Sequence, residues 1–566
     1  MFSGILKIWK IFSRLERLIF ASSLLVFAVS GIFIGANFIG EKTKEIPALG
    51  GEYREGVVGQ LSFVNPVLVG ENDPDRDLTE ILFSDVLDLA ESYKVNDKGK
   101  SWNLRLKPDA RWDDGVEITS DDVIFTINLI QDPDTRSPLF LAWQGVETER
   151  VSELEFKLKL ASPYAFFKNN LKDLRPIPKH IFGVLPPANI RLSSFNLEPV
   201  ASGPFKFLSI EKKRDGFISQ YQLTRNENYL GERPYLNNLI FKFYPSKDEL
   251  IEAVNRGIVD GAGNLDAPDL EKITVAKQTY DLRMPRYNAI FFNLASAPAL
   301  QEKNIRIALG LAVDRKKIIE KVFGNHALRV EGPLLPGMEG YKAAPYGEPA
   351  LILPDKALSL FTENGWRPGE GGIMEKRIGP LLDKGGRLIA GSGETAKMEF
   401  NLIVPDNSFL VEAANLIASD WLKIGVKLNV SVKSHEEITN SVLKARDYEM
   451  ILFGNTFGEN PDPFSFWHSS ERFYPGLNLS LYESRLADAL LESIRTDEDE
   501  TARRKDLASL NSLISGEAPA IFLFSPNYLY VIRGGLQGFE ENFIALPSDR
   551  FSAIEKWYMK TKRVFK

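Results

Sequence analysis

Cysteine is absent from the 566 residues. Disulfides, thiolate metal sites, cysteine nucleophiles and lipid anchors attached through cysteine are excluded together. Histidine is scarce: His180, His326, His435 and His468 are the four, and none stands at helix-face spacing from another, so a paired-imidazole metal site is not expected. A basic excess is missing too. The 69 Lys and Arg against 76 Asp and Glu give a net charge of −7, the wrong sign for neutralising phosphates, which excludes nucleic acid as a partner. No G-x-S-x-G elbow or H-E-x-x-H motif is present, which argues against an exported hydrolase, and no cofactor is expected. Core material is abundant, with 44% hydrophobic and 11% aromatic residues on a chain long enough for roughly two to four domains.

The first forty residues differ from the rest. Lys7, Lys10, Arg14 and Arg17 precede an uncharged run from Leu18 to Gly40 that ends at Glu41. At 1.5 Å per residue such a run crosses about 30 Å of hydrocarbon, and the basic N-terminal flank places everything after Glu41 outside the cytoplasm. A cleaved signal peptide is the alternative, with Ile34-Gly35-Ala36 as a small-residue site, but the apolar run exceeds the usual 7–15 residues, so an uncleaved anchor is expected. Either reading exports the chain. The following "EKTKEIPALGG" reads as a tether of at most about 35 Å when extended.

Five carboxylates crowd "RWDDGVEITSDDVIF": Asp113, Asp114, Glu117, Asp121 and Asp122. Before them, Trp102, Leu104 and Leu106 alternate with polar residues, as in a half-buried strand. Asp113-Asp114-Gly115 carries turn chemistry, Thr119 reads as an N-cap with Asp122 three residues on, and Val123, Ile124, Ile127 and Ile130 share a helix face. The ligand register of a calcium loop is missing. The stretch is expected to be scaffold, with neither a metal cage nor a catalytic pair.

The longer string "WNLRLKPDARWDDGVEITSDDVIFTI" resembles the signature of the family 5 extracellular solute-binding proteins, the oligopeptide- and dipeptide-binding components of ABC importers. "SGPFKF", "AVNRGIVDG", "YNAIFFNLASAPALQEKNIRIALGLAVDRKKIIEKVF", "ANLIASDWLKIGVKLNV" and "APAIFLFSP" resemble later segments of the family in their proper order. The resemblance covers Glu52 to about Phe551. It leaves out the anchor and a Gly-rich insertion around 367–397.

That resemblance implies an α/β, two-lobed, periplasmic-binding-protein-like fold of type II with three domains, behind an N-terminal transmembrane helix. The expected parts are a stub, anchor and tether over 1–45; a discontinuous lobe I from 46–74, 200–285 and 517–566; an accessory domain over 75–199; and lobe II over 286–516. It further implies binding rather than catalysis, with peptides closed into an inter-lobe cleft, an ABC transporter permease as partner, and a monomeric, membrane-held receptor on the extracytoplasmic side. The stretch "MILFGNTFGENPDPFSFWHSSE" carries specificity. In peptide-binding members the equivalent loop has Trp-x-x-Asp ahead of an acidic residue and Pro, and the Asp pairs with the peptide α-amino group. Aligned on Asp462-Pro463, Glu459 takes the Asp position with an arm about 1.5 Å longer, and Thr456 takes the Trp position without its stacking surface. The backbone around Asn455 and Phe457 is expected to pair with an extended ligand by strand addition, while Phe464, Phe466 and Trp467 are expected to return to the core. The same fold could hold an oligosaccharide, a nickel complex or haem, or serve a sensor, since fold does not fix ligand.

Overall fold

The alternating segment after Lys100 is the strand Ser101–Leu106, whose Trp102, Leu104 and Leu106 are buried. In this computed structural model, which describes residues 13–341, 353–377, 395–458 and 461–565, the acidic stretch that follows is a turn and a helix start. Gly115 sits at φ 92°. Arg111 donates to Glu117 at 2.7 Å. The helix Ser120–Gln131 opens with Thr119 Oγ1 accepting from the Asp121 N–H at 3.3 Å and the Asp122 carboxylate accepting from the Thr119 N–H at 2.9 Å. Val123, Ile127 and Ile130 face the core. Thr119→Ala is expected to lower stability by about 1 kcal/mol and leave ligand affinity unchanged; calorimetry on the variant checks both, and lost affinity at an unchanged melting temperature would contradict a purely structural role.

Two large mixed sheets organise the chain. A seven-stranded sheet has the order Lys277–Leu282, Tyr528–Arg533, Gly261–Leu265, Glu52–Val58, Asn238–Tyr244, Ile218–Arg225, Phe205–Lys212. A six-stranded sheet has the order Ala327–Arg329, Ala520–Pro526, Arg286–Phe292, Met450–Thr456, Glu399–Pro405, Lys427–Lys433. Each is covered by helices over its own buried core, the α/β two-lobed arrangement that the resemblance implied. A four-stranded antiparallel sheet from Ala90–Asn96 to Glu155–Lys159 shares the core of the first lobe. The chain passes between lobes before Arg286 and again at Asn527, where the Arg286 guanidinium donates to the Pro526 carbonyl at 3.3 Å. The boundary expected at Glu517 is therefore displaced: Ala520–Pro526 pairs with Arg286–Phe292 in the second lobe, because its apolar residues complete that lobe's core.

The N-terminal end differs from the expected free tether. One continuous helix spans Arg14–Lys42, and its apolar stretch as far as Phe33 is exposed. Thr43–Ala48 follows directly and pairs antiparallel with Lys560–Phe565, so backbone hydrogen bonds tie this segment to the far end of the chain. Part of the Gly-rich insertion, 378–394, lies outside the described residues; its flanks form a three-stranded sheet of Arg367–Pro368, Met374–Arg377 and Thr395–Lys397.

Candidate functional site

The strand Met450–Thr456 runs out of the second lobe toward the gap between lobes. It pairs along its whole length with Arg286–Phe292 on one side. On the other, its pairing with Glu399–Pro405 is confined to Met450 and Ile451, so among the described residues no strand pairs with the edge from Leu452 to Thr456. Both strand ends and the start of the helix Ser408–Leu422 meet at this opening, the position where α/β sheets place ligands.

The residues singled out in this loop are sent to different places. Asn455 is buried, and its amide donates to the Tyr287 hydroxyl at 2.9 Å, so the side chain serves the core. Thr456 is exposed and lines, with Asn455, a cavity of about 560 Å³. Phe457 is buried against Tyr287 and Phe466, and its N–H donates to the Pro285 carbonyl at 2.9 Å. Strand addition through the Phe457 amide is thereby ruled out; the free edge ends one residue earlier. Glu459 lies outside the described residues, but Gly458 and Pro461 on either side of it line a larger cavity of about 970 Å³, within the about 300–1,000 Å³ range of small-ligand sites. Trp467 and Phe466 return to the core as expected, while Phe464 lies under the Arg495 guanidinium at 3.9 Å. Asp462 accepts from Arg495 Nε at 2.6 Å and from the Tyr164 hydroxyl at 3.3 Å, and Phe166 is buried in the second lobe's core. The segment 164–166 thus closes one side of the gap.

The opposite wall of the larger cavity escaped the sequence reading. The helix Asp73–Leu82 presents Arg76, Thr79 and Glu80 on one face, as i, i+3 and i+4 spacing requires. Its other face is held from behind by Arg550, which donates to both Asp77 oxygens at 2.7 and 2.5 Å and to Glu55 at 3.1 Å; all three are buried. Tyr530 donates to Glu55 at 2.8 Å. Among the described residues, seven carboxylates line the larger cavity (Glu71, Glu80, Asp85, Asp88, Asp173, Glu339, Asp549) against three cations, Arg76, Lys172 and Arg175. Arg175 donates to Glu80 and to the Phe83 carbonyl.

Burial pushes Glu80 up to about 7 despite Arg175, and pushes Asp173 up to about 7, with Asp549 and Asp85 adding to both. A carboxyl whose folded pKa lies above its unfolded value stabilises fully below the unfolded pKa and loses that stability as pH rises through the folded one. Raising the pH from 5 to 8 is therefore expected to lower the melting temperature, and Asp173→Asn to flatten the fall. Scanning calorimetry across that window checks this; the same slope in the variant and the wild type would contradict it.

Two lobes joined by two crossings, with a cavity between them and an open strand edge beside it, define a ligand-capturing protein. Residues 86–473 match the family of bacterial extracellular solute-binding proteins, family 5 (middle region), and the chain belongs to that family. It is 27% identical to the oligopeptide-binding protein AppA of Bacillus subtilis over 95% of this chain and 98% of AppA. The structure of AppA in complex with a nonapeptide superposes with a TM-score of 0.65 at 24% identity, covering 91% of this chain and all of that one. The substrate-binding protein CtaP of Listeria monocytogenes gives 0.73 at 24% identity over 90% and 99% of the two chains, and NikZ of Campylobacter jejuni, in complex with Ni(L-His), gives 0.66 at 22% over 90% and 99%. These relatives bind substrates rather than transform them, and the chain is a binding protein, not an enzyme.

Proposed function

We propose that the chain captures peptides in the inter-lobe cavity outside the cytoplasm and delivers them, as a monomer, to the permease of an ABC importer. The observation that carries this reading is the edge from Leu452 to Thr456 at the mouth of the cleft, with which no strand pairs among the described residues: an extended backbone supplies the matching donors and acceptors in any side-chain sequence. AppA, an oligopeptide-binding protein similar over nearly the whole chain, supports it. Glu459, between Gly458 and Pro461 of the cavity lining, is the partner we assign to the ligand α-ammonium. A nickel–histidine complex like that of NikZ finds less support, since none of the four histidines lines the larger cavity and His326 alone of the four lines the smaller one. The domain units follow the sheets, with the seven-stranded sheet in lobe I and the six-stranded one in lobe II. Saturating pentapeptide is expected to close the lobes and lower the radius of gyration in small-angle scattering; an unchanged profile with peptide bound would contradict capture by closure.

The helix Arg14–Lys42 is assigned as a retained membrane anchor, being continuous, apolar, and exposed from Arg14 to Phe33. N-terminal sequencing of the protein from native membranes is expected to give the unprocessed start. A mature start near Asn37 would overturn the anchor.

A further inference from the structure

The register of the two-stranded ribbon that follows the apolar helix sorts its charges by face. Thr43–Ala48 runs antiparallel to Lys560–Phe565, with Lys44 opposite Val564, Ile46 opposite Lys562 and Ala48 opposite Lys560. Directly opposed residues share a face, as do residues two apart in one strand, so Lys44, Lys560 and Lys562 stand together. Glu45, the single acid in the two strands, is on the other face, where it accepts from Arg563 at 3.2 Å. The three lysines are exposed and make no ion pair with any described residue. The place of the ribbon is the second observation. It begins at Thr43, directly after the helix Arg14–Lys42, whose uncharged run ends at Gly40. Residues two apart in a strand are separated by about 7 Å, so the lysine face extends from the helix end over about 20 Å.

We propose that this face is an interaction surface for the membrane: Lys44, Lys560 and Lys562 lie on the phosphates of anionic phospholipids and hold the two lobes in one attitude to the bilayer. This rests on the helix being a retained anchor and is independent of what the cleft binds. With a net charge of −7, the chain as a whole is repelled by an anionic surface, and the lysine face supplies local attraction where the anchor brings it within reach. That attraction fades over a Debye length, about 8 Å at physiological ionic strength. A ribbon standing upright would carry Lys560 out of range. Lying flat, it brings all three ammonium groups to the headgroups, where each donates N–H bonds to phosphate oxygens.

The chain has no cysteine, so Leu49→Cys, at an exposed position just past the ribbon, takes a single spin label. The labelled full-length protein is placed in nanodiscs of phosphatidylcholine, with or without one third phosphatidylglycerol, each containing a lipid whose headgroup chelates gadolinium. Relaxation of the label by gadolinium is expected to be several-fold stronger in the phosphatidylglycerol discs. It should return to the phosphatidylcholine value in a chain carrying Lys44→Gln, Lys560→Gln and Lys562→Gln together. Equal relaxation in the two lipids would overturn the contact and leave the anchor standing, as would a triple variant indistinguishable from wild type. Flotation of the protein from native membranes with vesicles of the same two compositions separates the contact from the anchor. A chain with a mature start near Asn37 that floats with the phosphatidylglycerol vesicles, and fails to in the triple variant, would support the lysine face and overturn the anchor. A processed chain that floats with neither would overturn both.

Discussion

Arg550→Met is expected to destabilise the first lobe by about 3–5 kcal/mol, the loss typical of removing one partner from a buried ion cluster. Among the described residues, Arg550 alone supplies positive charge within hydrogen-bond reach of Asp77 and Glu55, both buried, and methionine would fill much of the volume while leaving two carboxyls without a counter-ion. Burial already pushes Glu55 up to about 7. Without Arg550 its pKa would rise further, so the loss should be larger at pH 8, where charge must be buried, than at pH 5, where the carboxyls take up protons. Replacing Glu55 and Asp77 by leucine in the same variant should recover much of the loss, since apolar replacement of a whole buried cluster is often neutral. Scanning calorimetry that resolves the transition of this lobe is the check. A shift corresponding to under about 1 kcal/mol for Arg550→Met would mean that the cluster behaves as an exposed pair would.

Glu459→Gln is expected to weaken peptide binding by on the order of 2–5 kcal/mol, the cost of leaving a desolvated cation unpaired. The expectation stands on the resemblance, which aligns Glu459 with the carboxylate expected to take the α-ammonium, and on Gly458 and Pro461 to either side of it in the sequence, which line the larger cavity. N-acetylation of the peptide should weaken binding to the wild type by a similar amount and add little in the variant, the non-additivity expected of direct partners. Titration calorimetry of the four combinations gives the answer. Peptides held as tightly by Glu459→Gln as by wild type would end the amine-recognition reading and bring non-peptide ligands forward.

What could be read from the sequence was local. The alternation of Trp102, Leu104 and Leu106, the Thr119 cap and the apolar face of Ser120–Gln131 each follow from residues within one or two turns of one another. Period 2 along Met450–Thr456 also carries the fate of Asn455, which shares a face with buried Ile451 and Phe457, while Gly454 and Thr456 face out. Treating the loop as a unit hid that split. Nothing local could show that Thr43–Ala48 pairs with Lys560–Phe565, more than 500 positions away, or that Ala520–Pro526 belongs to the second lobe. An apolar strand has no local mark of which sheet it joins. The acidic wall is the same case. Its carboxylates come from Glu71 and Glu80 at the helix Asp73–Leu82, from Asp85 and Asp88 after it, and from Asp173, Glu339 and Asp549 far along the chain, and each alone reads as an ordinary solvated charge. Their meaning comes from sharing one cavity.

The central claim, that the gap between the lobes is a peptide site, is tested most directly by native mass spectrometry. The protein should be purified from its own membranes in mild detergent, and anything released on unfolding should be sequenced by fragmentation. A one-to-one adduct that fragments as peptides, exchangeable for an added pentapeptide, is the predicted result. An adduct that fragments as sugar or carries a metal complex, or a bare protein that takes up no peptide from a random pentapeptide pool, would contradict it.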